Sequence, residues 1–510
     1  MKICIVLQRR FSVLGHAIAR ALREKYGIEE FCGYAYLRSA QEFLRSQKEI
    51  DYQPLLVDED LHLKAEKEKL DLDYIESLEK EYGIPNLWPY IATDRFFMMS
   101  SPKRDYSYTP ACSHETMLTH LQTRWRAISE MFEQAKPDVL LLPNIGAMAN
   151  NILYHLAKKK GIQTVVLEHV RFKNRIVIID NGYNQFPKVN ELFDAIQNRN
   201  RQSSFKVQAI DFLKEFREKP TAQIWSPTDK ISFLGSFFRW LRFFVKYLFI
   251  YFKEAQWRDY SRESPINYLR NRISQRLRKW RGFGGIFEKP RENDDFAFFP
   301  LHYEPEIATL VLAPFYTNQI ALIQNIAKSL PGHFKLYVKE HPGMLYRRDF
   351  AYYKELKKIP NVRLIDAEEK AVSLIQKAKL VLTVTGTAGW EAVMLKKPVI
   401  IFGSVFYEKL SMVKRVGEIE KLPFLVKEAL ENYAHNEEEL IDFLSALFEL
   451  SLPLDYEYLW HEASLKEISR NEQFENLIEC LAKELKLAKK DKAESGADEN
   501  IADITDDHAH

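Results

Sequence analysis

Four cysteines in 510 residues, Cys4, Cys32, Cys112 and Cys480, are too few and too scattered for a disulfide framework, and no C-x-x-C spacing offers a structural zinc site. A reducing cytosol is therefore the expected compartment. Charge of one sign is also missing: the formal net charge is +2, so any electrostatic message has to come from a local cluster. The apolar run Met1 to Leu7 stops at Gln8-Arg9-Arg10, far short of a signal-peptide core, and is expected to be a first buried strand. There is no internal repeat, no G-x-x-x-x-G-K-[ST] loop and no G-x-G-x-x-G fingerprint. No Asp-x-Asp pair stands at a strand end, since Asp71-Leu72-Asp73 falls in a charged helical stretch. Neither a metal nor a cofactor is expected.

What is present is a chain too long for one core, with 46% apolar and 28% charged residues, as in ordinary multidomain globular proteins. Apolar runs at 2–7, 31–37, 138–143, 163–168 and 175–180 alternate with helical spacing from Ser12 to Lys25 and from Met148 to Lys160, which predicts a doubly wound lobe over 1–200. Residues 60–130 give no clear sheet assignment. A second alternation has strands expected at 296–301, 334–339, 361–365, 379–384 and 398–402. Its helices are expected at Gln319–Leu330, Asp349–Lys358, Ala371–Lys377 and Gly389–Lys396, which predicts a second Rossmann-like lobe over 293–455. Helical periodicity from Tyr456 to Leu487 suggests helices over 456–488 packing across the hinge. The tail 489–510 has almost no large apolar residue and is expected to be disordered; its His508 and His510 are read as a solvated end rather than a chelate.

Between the lobes, over 201–292, a helical insertion or linker is expected. Ile231 to Phe252 is rich in Phe and Leu, yet Arg239, Arg242, Lys246 and Lys253 recur at spacings that place them on one helical face. From Arg239 to Arg281 there are twelve Lys/Arg against Glu254, Asp259 and Glu263, a local net of +9. Cations through the centre of a span are costly in hydrocarbon but suit a headgroup plane, so these four residues are expected to contact an anionic membrane surface. A helical hairpin packed on a lobe is the alternative; nucleic acid is not expected as a partner.

Two loops carry the chemistry. Lys339-Glu340-His341-Pro342 ends one apolar run and Thr385-Gly386-Thr387-Ala388-Gly389-Trp390-Glu391 ends another. Carboxyl ends of parallel strands line a ligand crevice, and a helix start there presents free N–H groups to phosphate. Together with Phe299-Pro-Leu-His-Tyr-Glu-Pro-Glu306, Tyr316, Gln319, Lys397-Pro398 and Phe402-Gly403, these segments resemble the bacterial capsule polysaccharide biosynthesis family, which includes β-Kdo transferases. The resemblance covers about 294–410 and reaches the first lobe only in pattern.

That resemblance implies a GT-B arrangement of two Rossmann-like lobes, with a nucleotide-sugar donor held mainly by the second. It implies that His341 and Pro342 contact donor phosphate; with no metal motif, Lys339 is expected to join His341 and the loop amides in meeting leaving-group charge. Thr385, Gly386 and Thr387 would cradle the phosphate, and Glu391 would support the nucleoside or sugar. Tyr316 and Gln319 belong to the same donor set, and His302 and Glu304 lie near the interlobe cleft. A transferase also needs a base for the acceptor hydroxyl; Glu168, His169 and His16 are the candidates in the first lobe. The expected activity is an inverting, metal-independent glycosyltransferase with a CMP-activated, Kdo-like sugar as first guess. Its acceptor would be a lipid-linked or polysaccharide chain of capsule or lipopolysaccharide type, and its location cytoplasmic, peripheral at the inner face of the cell membrane. The alternatives are a CDP-glycerol-type phosphotransferase, a UDP-sugar 2-epimerase, or a non-catalytic membrane-associated assembly protein.

Overall fold

The computed structural model describes residues 1–82, 84, 86–94, 97, 112–183, 185–220, 233–253 and 264–489, with the side chains of 233–240, 250 and 253 outside the described set. The tail expected to be disordered lies outside these residues from 490 onward.

The first lobe builds its sheet from β1 (Lys2–Leu7), β2 (Glu30–Ala35), β3 (Tyr52–Val57), β4 (Val139–Leu142), β5 (Gln163–His169) and β6 (Arg175–Ile179). The first five strands are parallel, β1 pairing with both β2 and β4. Helices cover both faces, which is why β1 is a continuous buried run from Ile3 to Leu7 rather than an alternating one. The helix Phe11–Tyr26 stops where Gly27 takes φ 71, and Met148–Lys159 is followed by Gly161 at φ 70.

Two of these six strands depart from the sequence expectation. β3 carries Pro54 and was not foreseen; it is the edge strand, where a missing N–H need not interrupt a ladder. β6 runs antiparallel to β5, because the residues between His169 and Arg175 are too few for a parallel crossover. Residues 58–135 add no strand among those described; they form the helices Asp58–Ala65, Leu72–Tyr82, Trp88–Ala92 and His114–Ala135.

The second lobe is a wholly parallel sheet of β7 (Phe296–Pro300), β8 (Lys335–Lys339), β9 (Val362–Ile365), β10 (Leu380–Thr383), β11 (Val399–Ile401) and β12 (Val413–Arg415), in the order β12-β11-β10-β7-β8-β9. The predicted helix over 389–396 starts two residues earlier, at Thr387, and Asp349 caps Phe350–Lys357 by accepting from the Tyr352 N–H. The chain is thus α/β with two largely parallel sheets, as the alternation of runs implied.

After the helix Glu437–Leu450 a short strand, β13 (Leu452–Pro453), joins the edge of the first sheet antiparallel to β6. Its sheet order is β13-β6-β5-β4-β1-β2-β3. The helices Tyr456–His461, Leu465–Ser469 and Glu472–Glu484 then pack on Phe11–Tyr26 of the first lobe. Glu437–Leu450 itself lies against Pro187–Gln197 and Lys206–Glu218, with Phe193 meeting Phe443 edge-on at 5.4 Å. Of the middle segment, Lys206–Glu218 belongs to this packing, whereas Phe233–Lys253 and Pro265–Arg281 pair with each other through aromatic rings around Tyr268.

Candidate functional site

In the second lobe β7, β8 and β10 are neighbours, so the loops that leave their carboxyl ends are brought side by side by the sheet. His341 follows β8 and opens the 3-10 turn Pro342–Met344. Its backbone N–H donates to Glu340 Oε1 at 2.5 Å, and its Nδ1 accepts the Gly343 N–H at 3.1 Å. With Nδ1 an acceptor, the ring proton sits on Nε2. Burial, reinforced by Lys339, Arg348 and Arg347, lowers the His341 pKa to about 4, so the imidazole is neutral at pH 7 and presents an N–H. Pro342 and Gly343 are exposed, and the Tyr303 ring stands edge-on to the imidazole at 5.6 Å.

His302 ties the three loops together. Its ring Nε2 accepts the Thr385 N–H at 3.2 Å, its backbone N–H donates to Gln319 Oε1 at 2.8 Å, and its carbonyl accepts from Arg348 Nη2 at 2.8 Å. Burial, with His341 and Arg348 nearby, lowers its pKa to about 3. The neutral ring is therefore a strut between the β7 and β10 loops. Beneath it Arg348 is fully enclosed and pairs with Glu304 at 2.6 Å and with Glu340. Glu340 also accepts from the Tyr353 hydroxyl at 2.8 Å. The two carboxylates and the hydrogen bond to the His302 carbonyl satisfy a cation that would otherwise be costly to bury.

Several expected donor residues prove to be framework. Lys339 is the clearest correction: its Nζ turns inward to the carbonyls of Ala367 at 3.0 Å and Glu340 at 3.3 Å, so it does not face a phosphate. Glu304 and Gln319 are likewise buried and engaged with Arg348 and His302. Glu391 is buried in its helix rather than standing at the rim. Tyr316 is half-buried, its ring 5.2 Å from Phe402.

In the Thr-Gly-Thr turn the amides are not equivalent. Thr385 N–H is taken by His302, its hydroxyl donates to Ala308 O at 2.9 Å, and Gly386 N–H is taken by Thr383 Oγ1 at 3.0 Å. Gly386 caps the helix Thr387–Met394, whose first amides, Thr387 and Ala388, have no partner among the described residues. The amides this turn leaves open are therefore those of Thr387 and Ala388, not those of Thr385 and Gly386. Small residues are required here by contact: a Cβ on Gly386 would lie 2.7 Å from Thr383 Oγ1, and one on Gly389 would lie 2.2 Å from the hydroxyl of Tyr407, which donates to Gly386 O at 2.9 Å.

The first lobe meets this site through the loop after β4. A Cβ on Gly146 would lie 2.2 Å from Ile307 Cγ1, so the lobes touch where the β4 and β7 loops face each other. Beside that contact Asn150 donates to Asn144 O at 2.9 Å and to Gln8 Oε1 at 3.2 Å, and Tyr36 donates to Asn150 Oδ1 at 2.7 Å. These residues gather the ends of β1, β2 and β4 and were not foreseen. Asparagine and glutamine in loops carry no pattern that marks them.

Of the candidate bases, Glu168 and His169 do end β5, but His169 Nε2 lies 3.2 Å from Glu457 and Arg171 lies 3.6 Å from Glu168. His16 is enclosed in the core, its Nδ1 3.2 Å from the Tyr52 hydroxyl and its pKa lowered to about 4 by burial, so the expectation that it serves a cleft is not met. Arg242 and Lys246 are exposed on Phe233–Lys253, while the side chains of Arg239 and Lys253 lie outside the described set. No helix among the described residues is long and apolar enough to cross a membrane. Among those residues no three His, Cys, Asp or Glu side chains converge as metal ligands would.

Residues 293–413 match the family described as capsule polysaccharide biosynthesis protein. No curated protein matches the chain. Among solved structures the chain is similar to a Thermosulfurimonas dismutans KpsC β-Kdo 2,7 transferase, at 13% identity over 69% of this chain and 89% of that one, TM-score 0.36. It is also similar to a KpsC β-Kdo 2,4 transferase of the same organism, at 13% identity over 61% and 79%, TM-score 0.35. A Methanocaldococcus jannaschii UDP-GlcNAc 2-epimerase in complex with UDP-GlcNAc and UDP aligns at 14% identity over 88% and 99%, TM-score 0.29.

Proposed function

We propose that the protein, whose residues 293–413 match the capsule polysaccharide biosynthesis family, is a glycosyltransferase that takes a sugar from a nucleotide donor and adds it to a capsule or lipopolysaccharide-type acceptor. The observation that carries this is a neutral His341 with its proton on Nε2 after β8, together with Thr387 and Ala388 amides that have no partner among the described residues at the helix start after β10, the two strands flanking β7. Donor phosphate oxygens accept from these three groups, with the Thr387 hydroxyl beside them. As the acceptor hydroxyl attacks the anomeric carbon, the same donors stabilise the negative charge that develops on the departing phosphate. Attack opposite the leaving group inverts the anomeric centre. Glu168 and His169, at the end of β5, are the candidates for removing the acceptor proton.

A CMP-activated, Kdo-like sugar is the first donor to test. The acceptor is lipid-linked or polysaccharide, and the exposed Arg242 and Lys246 hold the enzyme to an anionic inner-membrane surface. Charge on the leaving group is met by N–H donors, so turnover is expected to persist in chelator.

Melting shifts with CMP, CDP, UDP and GDP test the proposal, because a ligand stabilises the folded state according to its affinity. CMP should raise the midpoint most, and His341→Ala should abolish that shift while lowering the ligand-free midpoint only by the loss of one turn-capping hydrogen bond, about 1 kcal/mol. A preference for UDP would favour a 2-epimerase, one for CDP a CDP-glycerol-type phosphotransferase. No shift with any nucleotide would favour a non-catalytic assembly protein and refute the proposal.

A further inference from the structure

The helix Pro265–Arg281 has six cations, Arg270, Arg272, Arg276, Arg278, Lys279 and Arg281, and no acid. Its exposed apolar residues are Ile266, Ile273, Leu277 and Trp280, the last 84% exposed. At about 100° per residue these four fall within roughly 60° of one another. Arg270 and Arg281 flank the stripe on one side, and Arg272, Arg276 and Lys279 on the other. The neighbouring helix Phe233–Lys253 presents a second exposed stripe, Leu241, Val245, Phe249 and Phe252, with Arg242 and Lys246 beside it. Large apolar side chains between rows of cations, without an acid, match an anionic lipid surface, where rings enter the boundary and cations meet headgroups.

The opposite side of Pro265–Arg281 carries Tyr268, Asn271 and Arg278. Arg278 Nη1 donates to the carbonyls of Tyr346 and Arg347, both at 3.0 Å. One turn later Phe283 stacks on Tyr346 at 5.2 Å and meets Tyr353 edge-on at 5.1 Å. Tyr346 and Arg347 belong to the stretch that begins at His341 and ends at Arg348, and Tyr353 is the residue that bonds Glu340. The helix that offers an apolar stripe outward therefore grips, by its inward face, the loop that positions His341.

We propose that Pro265–Arg281 couples an anionic membrane surface to the His341–Arg348 loop, with Arg278 as the positioning residue that transmits lipid docking. The functional meaning of the coupling rests on that loop being the donor site. Seating the Ile266–Trp280 stripe restrains the helix, and Arg278 and Phe283 pass the restraint to the carbonyls behind the Pro342–Met344 turn.

The test uses the full chain with vesicles of phosphatidylcholine, alone or with 30 to 40% phosphatidylglycerol. Flotation reads docking, and hydrogen exchange of amides 343–348 reads the loop. Wild type should float only with the anionic vesicles, and its loop exchange should then slow at least three-fold. Ile273→Ser/Leu277→Ser/Trp280→Ser, all exposed positions, should lose flotation at least ten-fold and keep the vesicle-free exchange rate. Arg278→Ala should still float but show no slowing. Slowing that survives in Arg278→Ala, or wild type that floats with no change in the loop, would overturn the coupling. Equal flotation of the triple variant, or its conversion of an oligomer to a monomer, would overturn the lipid surface in favour of contact between copies of the chain. None of these readouts needs a nucleotide, so a failed melting series would remove the donor role and leave the exchange result standing.

Discussion

Replacing Arg348 with methionine leaves Glu304 and Glu340, whose side chains are 2% and 0% exposed, without their shared cation. Removing one partner of a buried pair costs about 3–5 kcal/mol, and with two carboxylates stranded the upper end applies. For a lobe of this size each kcal/mol moves the midpoint by about 2–4 °C, so the variant should melt roughly 10–20 °C lower in calorimetry at pH 7.5. The pH dependence has a definite sign. A stranded buried carboxyl holds its proton more tightly than the same group in the unfolded chain, so the deficit grows as pH rises above the unfolded value and narrows as pH falls toward it. The deficit at pH 5.5 should therefore be smaller than at pH 7.5, and Glu304→Gln/Glu340→Gln added to the variant should recover much of it. Because Glu340 also accepts the His341 N–H, the single variant should lose its nucleotide shift as well. A midpoint within 2 °C of wild type, or a deficit that ignores pH, would refute the reasoning.

Burial holds His16, His62 and His341 at about 4 and His120 and His302 at about 3. Below about 6.5 the unfolded chain takes up protons that these rings refuse, so stability should fall as pH drops toward 4, by up to about 1.4 kcal/mol per pH unit for each ring. Urea midpoints that stay flat between pH 7 and 5 would contradict this. Gly389→Ala sets a methyl 2.2 Å from the Tyr407 hydroxyl and should cost about 1–3 kcal/mol, with Tyr407→Phe alone much milder and the double variant still impaired by the turn it no longer ties. Gly146→Ala drives a methyl into Ile307 across the lobe contact and should cost a similar amount, which Ile307→Ala in the same chain should partly restore. Additive losses in that pair would argue against a direct contact.

How much could be read in advance differs by level. The strand runs of both lobes were legible because a parallel sheet covered on both faces needs continuous apolar stretches, as β1 and β10 show. β3 escaped because its Pro54 reads as a breaker unless the strand is known to be an edge, and β12 and β13 because three and two residues carry no periodicity. The two loops at the candidate site were found from residue type and position, and both do stand at strand ends. Arg348 was not found: it follows Arg347 in the sequence, and nothing local marks one as buried and the other as half-exposed.

The amino-acid order alone determined two α/β lobes, a basic aromatic middle, and a His-Pro turn and a Thr-Gly-Thr turn after apolar strands, since each is a matter of neighbours a few residues apart. Only the tertiary structure decided that Lys339 turns inward, that His302 consumes the Thr385 amide 83 residues away, and that Arg278 reaches the Tyr346 carbonyl 68 residues on. Those choices depend on which carbonyl or carboxylate the folded sheet sets within about 3 Å of a donor, and hydrogen bonding at that range is a property of assembled surfaces rather than of spacing along a chain.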